Sequence, residues 1–157
     1  DRALEIDPQT AGALENKAGI LSELGRQNES DKFYSEALEL YNTSIETEKS
    51  TEDLVEAWLS KGFILQAQGK YEDAVKALGN ATDADPMNGL AWKVKGVLLW
   101  RELKEYDDAV NAFDKALQIN PKDPLTWMNK GDALKALGRQ AEADEAYAKA
   151  RELGYQG

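Results

Sequence analysis

Residues 92–121 read WKVKGVLLWRELKEYDDAVNAFDKALQINP. Trp92, Gly96 and Leu99 stand at i, i+4 and i+7, which sets them on one face of an α-helix. Ala109, Phe113 and Ala116 repeat the same spacing in a second run. Leu103-Lys104-Glu105 forms the turn between the runs. Asn120-Pro121 closes the second one, because proline cannot continue a helix. So short a turn forces the two helices antiparallel. The Gly and Ala positions let their backbones approach closely.

The pattern recurs on either side. Trp58, Trp92 and Trp127 each have Lys-Gly at +3 and +4: Lys61-Gly62, Lys95-Gly96 and Lys130-Gly131. Each has Leu at +7: Leu65, Leu99 and Leu134. A turn follows, with Gly69 or Gly138 in two copies, and the copy without glycine is one residue longer. The second runs carry Ala74, Leu78 and Ala81, then Ala109, Phe113 and Ala116, then Ala143, Tyr147 and Ala150. Asp85-Pro86 and Asn120-Pro121 close two of them. The three tryptophans are expected to be packing residues.

A degenerate copy precedes these, with Leu14 at the Trp place, Lys17-Ala18, Leu21 and Gly25 behind it, then Ser30, Tyr34 and Ala37. It carries about ten extra residues, in the polar stretch Asn42–Asp53. They read as a longer second helix and a polar loop in which Ser50 or Thr51 caps the next helix. Residues 1–8 match the closing segment of a copy, Ala3-Leu4-Glu5-Ile6-Asp7-Pro8 against Ala116-Leu117-Gln118-Ile119-Asn120-Pro121. The resulting division is a repeat tail at 1–8, a degenerate repeat at 9–53, repeats at 54–86 and 87–121, and a last repeat at 122–157. A single helix pair cannot bury its apolar face, so such copies must stack.

These residues closely resemble the tetratricopeptide repeat family over essentially the whole chain. The resemblance implies an all-α fold, a right-handed superhelical solenoid of antiparallel helix pairs. The departure from the family pattern is Lys at +3, where Leu is usual, in all four copies: Lys17, Lys61, Lys95 and Lys130. A Lys stem can cover apolar surface while its ammonium reaches water.

Composition excludes much chemistry. The 157 residues contain no Cys and no His. Neither disulfides, Cys/His zinc sites, nor imidazole-based catalysis can be built from them. The net charge is −10, and residues 1–53 hold 13 acids against 5 bases. That balance repels nucleic acid and anionic membranes. No apolar run approaches the ~18 residues of a membrane span. No phosphate loop or metal-ligand cluster is visible. The chain therefore reads as a non-enzyme without cofactor, and the absence of Cys suits a reducing, cytoplasmic setting.

Val110 and Leu117 of the third copy become Asp144 and Arg151 in the last. A polar outer face suits a capping helix, Glu142–Leu153, with Gly154 as its stop. No cap precedes the first copy, so the array is expected to continue upstream.

The resemblance implies partner binding in a groove lined by the first helices. Helix geometry selects one stripe per copy, displaced from the Trp stripe. It comprises Glu56, Leu59, Phe63, Gln66 and Ala67 in one copy, Leu90, Lys93, Val97, Trp100 and Arg101 in the next, and Leu125, Met128, Asp132, Lys135 and Ala136 in the last. The degenerate copy offers Gly12, Glu15, Gly19, Ser22 and Glu23. The expected partner is a protein or peptide with apolar anchors and some basic residues, laid in the groove as a helix or extended segment. Weak homo-oligomerisation through the uncapped first repeat, or service as the recruiting array of a larger enzyme or sensor, are the alternatives. Chaperone-binding family members grip a C-terminal carboxylate with a Lys one residue after the Trp position and an Asn four residues beyond that Lys. Here Lys93 is followed by Val97, and only Asn129 stands at a further clamp position.

Overall fold

The computed structural model describes residues 8–47 and 50–156, and their regular structure is helical. Residues 1–7, most of the segment read as a repeat tail, lie outside the described residues. The helices are α1 (Pro8–Glu23), α2 (Gln27–Thr47), α3 (Thr51–Ala67), α4 (Tyr71–Ala84), α5 (Gly89–Leu98), α6 (Tyr106–Ile119), α7 (Pro124–Ala136) and α8 (Gln140–Glu152), with a π turn over Leu99–Leu103 extending α5. Among the described residues no helix is long and apolar enough to cross a membrane. The chain divides into two compact units, residues 1–77 and 78–157.

In the first unit, α1 and α2 form an antiparallel pair with α3 laid against them. Ala11, Ala18, Tyr34, Ala37 and Tyr41 make the pair's core, and Ala57 and Ile64 of α3 enter it. Ser30 stands where later copies have Ala, and its hydroxyl is satisfied by donating to the Ala18 carbonyl at 2.8 Å. α2 is the longest helix, at 21 residues. Ser50 occupies the N-cap of α3 in extended conformation, yet its side chain makes no capping hydrogen bond.

In the second unit, α5 pairs with α6 and α7 with α8. Each pair closes on a glycine. A Cβ at Gly96 would lie 2.7 Å from a ring carbon of Phe113, and one at Gly131 2.6 Å from a ring carbon of Tyr147. Val110 and Leu117 are buried on α6, whereas their counterparts Asp144 and Arg151 on α8 are exposed.

Three turns within pairs share one construction. Gly25, Gly69 and Gly138 have φ of +73°, +72° and +74°. Their N–H groups donate to Ser22, Gln66 and Lys135, and the next residues donate to Leu21, Leu65 and Leu134. This satisfies the orphan carbonyls of the helix end, at a position where glycine meets no Cβ penalty. The longer copy solves the turn differently. Its extra residue widens the last turn of α5 into the π turn, and Lys104 takes the left-handed position at φ +61°. Single-residue insertions are commonly absorbed this way, and the widened turn holds Trp100 and Arg101.

The tryptophans expected to pack are half-buried rather than core. Their faces and edges are both used. Trp92 Nε1–H donates to the Pro86 carbonyl at 3.0 Å, and Trp127 Nε1–H to the Pro121 carbonyl at 2.9 Å. Lys61, Lys95 and Lys130 lie over the rings of Trp58, Trp92 and Trp127, 5.0, 5.4 and 5.3 Å from the ring centroids. The recurrent Lys at +3 is thus a cation–π lid one helical turn from its Trp. The degenerate copy keeps the device with the ring moved. Leu14 replaces Trp, Phe33 of α2 stands where α6 and α8 have Ala112 and Ala146, and Lys17 lies 3.9 Å over Phe33.

Gly96→Ala is expected to cost about 2 kcal/mol, the scale of overpacking a filled core, read by urea denaturation. Lys104→Gly should gain about 1 kcal/mol by removing a left-handed side-chain residue, with the same measurement as check.

Candidate functional site

The expected stripe falls in both units. In the first unit it runs along α3, where Phe63 is 37% exposed, Leu59 and Gln66 are half-buried, and Glu56 is exposed. Beside it lies a polar junction of three helices. Tyr41 of α2 donates its hydroxyl to Glu15 of α1 at 3.0 Å. Burial raises the Glu15 pKa, and the Tyr41 hydrogen bond only partly offsets that. Tyr41 itself is pushed up to about 12, first by burial and then by the Glu15 and Glu56 charges, against a lowering hydrogen bond with Ser60 of α3. The first unit therefore carries an exposed aromatic ring, Phe63, on the same helix as the exposed Glu56, and a half-buried Glu15 that carries its charge at a desolvation cost.

In the second unit Leu90 and Leu125 hold equivalent first-turn positions on α5 and α7, and are 48% and 50% exposed. Val97, Trp100 and Met128 are half-buried, and Lys135 is exposed. Arg101 is exposed and stacks over the Trp100 ring, 5.4 Å from its centroid. Lys93 reaches from α5 to Asp123, the N-cap of α7, at 3.1 Å. Asp123 also accepts from the Leu125 N–H and the Thr126 hydroxyl. Burial works against the Asp123 charge, but hydrogen bonds from Thr126, Lys93 and Leu125 and the Lys93 charge hold its pKa below the usual value. Asp132 accepts from the Tyr147 hydroxyl at 2.7 Å. Burial, with Asp132 and Asp144 adding to it, pushes Tyr147 up to about 12. Two of the stripe's four charged groups in this unit are thus engaged within the fold. Arg101 and Lys135 remain directed outward, so the face combines aliphatic and aromatic surface with cationic groups.

None of Asp123, Tyr41 and Tyr147 belongs to the stripe that the spacing predicts. Asp123 before Pro124 carries a legible N-cap signal. Its pairing with Lys93, 30 residues away, has no local signal.

Tetratricopeptide repeat family models match residues 59–124, 112–145 and 11–44. The chain belongs to the tetratricopeptide repeat family. Among solved structures, the crystal structure of MamA is similar at TM-score 0.72 and 20% identity, covering 97% of this chain and 82% of that one. BtubC from P. vanneervenii is similar at TM-score 0.73 and 22% identity, covering 96% and 68%. The first repeat domain of Spaghetti (RPAP3), solved bound to the HSP90 peptide SRMEEVD, is similar at TM-score 0.62 and 26% identity, covering 66% and 81%. No curated protein matches significantly.

Two pH dependences of opposite sign follow. The Glu15 pKa is raised on folding, so its contribution is favourable at low pH and is lost as pH rises through the folded pKa. Glu15→Gln should raise the melting temperature at pH 7, and the gain should vanish below about pH 4, where the wild-type carboxyl is protonated. The Asp123 pKa is lowered, so its contribution is present above the ordinary Asp range and is lost as pH falls through the folded pKa. Asp123→Ala should cost about 1 kcal/mol at pH 7, and the cost should shrink in melts at progressively lower pH.

Proposed function

We propose that this chain is a non-catalytic protein–protein interaction scaffold that holds a peptide or helix against the stripe on its first helices. The supporting observation is Trp100. Copies aligned to it place Gln66 and Lys135 there, so the ring does not belong to the repeat's packing pattern. It is half-buried in a widened helical turn, with Arg101 over its face. Aromatic and Arg side chains in such settings are the usual anchors of protein interfaces. Phe63 supplies a second, separate anchor.

On the first unit the partner is proposed to offer an apolar side chain to Phe63 and basic residues to the acidic groups around Glu15 and Glu56, and on the second unit an apolar side chain to Trp100. An apolar contact with a charged rim gives affinity through the first and orientation through the second. The RPAP3 domain binds an acidic peptide. For this chain a carboxylate grip of the clamp kind is not proposed. Lys93 is tied to Asp123, and Val97 stands where the clamp requires Asn.

A pull-down from source lysate tests the reading. Wild type should retain a protein that a Phe63→Ala/Trp100→Ala double variant loses by at least tenfold, with unchanged circular dichroism. Equal retention by both would remove the stripe as the working surface.

A further inference from the structure

We propose that the pocket between α7 and α8 is a second binding site, and that it takes an aromatic side chain with a basic neighbour on a partner peptide. The pocket has a volume of about 440 Å³, within the range of small-ligand sites. Leu134 and Ala146, both buried, line it together with half-buried Trp127. The Trp127 Nε1–H is already satisfied by the Pro121 carbonyl, so the indole offers the pocket apolar surface. Trp127, Lys130 and Leu134 lie on a different side of α7 from Met128, Asp132 and Lys135, given about 100° of turn per residue. The site is therefore separate from the stripe.

Charge and the repeat itself say what fits. Of the charged groups lining the pocket, Lys130 pairs with Asp114, Glu142 with Arg139, and Glu152 with Lys149. Glu145 is exposed and has no ion-pair partner among the described residues. In the first copy, Leu14, Lys17, Lys32 and Phe33 stand where the last has Trp127, Lys130, Glu145 and Ala146. There the chain fills the corresponding place itself. Phe33 packs against the core of its pair, Lys17 lies 3.9 Å over its ring, and Lys32 precedes it. In the last copy that ring is reduced to a methyl group, and the cation beside it is replaced by a carboxylate. An aromatic side chain with a basic neighbour restores both from outside, the ring against Leu134 and Ala146 and the cation at Glu145. The ring supplies apolar burial, and the cation supplies orientation.

The acetylated, amidated peptide AKFAA is titrated into the isotope-labelled chain, with backbone amide shifts as the readout. The shifts should centre on residues 127–134 and 142–149 and saturate in the millimolar range expected of one side chain in an open site. The peptides AEFAA and AKAAA should each bind at least about fivefold more weakly, the scale of one exposed charge pair or more. Glu145→Lys, which copies Lys32, should weaken AKFAA by about the same factor. Trp127→Leu/Ala146→Phe, which copies Leu14 and Phe33, should abolish the shifts with circular dichroism unchanged. Glu145 is exposed, so its variant tests the site even where the filled one folds poorly. Phe63→Ala/Trp100→Ala should leave the titration unaltered, so the pocket and the stripe stand or fall separately. No saturable shifts, shifts centred on the stripe, a control peptide binding as tightly as AKFAA, or an affinity indifferent to Glu145→Lys overturns the proposal.

Discussion

The distance between paired helices is set by small residues at their closest approach. Ring carbons of Phe113 and Tyr147 sit against the facing helices at Gly96 and Gly131, in space that a single Cβ would fill. Phe113 is fully buried by that contact. Such a gap admits no looser arrangement without a void, and no tighter one without displacing the ring. The alanines one turn to either side, Ala109 and Ala116 on α6 and Ala143 and Ala150 on α8, are buried for the same reason. Small residues at these places set a distance, and every other contact of the pair is made at that distance.

Lysine at +3 is compatible with this packing because its charge does not enter it. Each ammonium sits over an aromatic face, where the ring quadrupole attracts it and water still reaches it. Lys130 also pairs with Asp114 of α6 at 2.6 Å, and Lys61 donates to Asn42 of α2 at 2.6 Å. One side chain thus covers its own helix's ring and reaches the second helix of the preceding copy. The degenerate copy shows what is retained: Lys17 finds its ring in Phe33 when the Trp is lost, so the requirement is an aromatic face near the lysine rather than Trp at one position.

Charges on the stripe are sorted by whether the fold uses them. Lys93 and Asp132 carry hydrogen bonds that hold neighbouring helices in place. Arg101 and Lys135 are exposed. Glu15 is intermediate, half-buried and accepting from one phenol. A partner with basic groups would meet that carboxylate already partly stripped of water, which increases the electrostatic return on pairing.

The helix pairs, their antiparallel order and the repeat family are legible in the sequence. Those follow from local periodicity and from glycine and proline at fixed offsets, and helical geometry translates such spacing directly into a face. Trp100 is conspicuous there as well, as an aromatic where aligned copies are polar. The role of the recurrent lysine, the union of Lys93 with Asp123 and the meeting of Glu15 with Tyr41 between α1 and α2 emerge from the folded arrangement alone. So does the absorption of one copy's extra residue as a π turn. These depend on which groups from distant positions come within a few ångströms, and on how far each is removed from water. Neither quantity is carried by the spacing of residues along one helix.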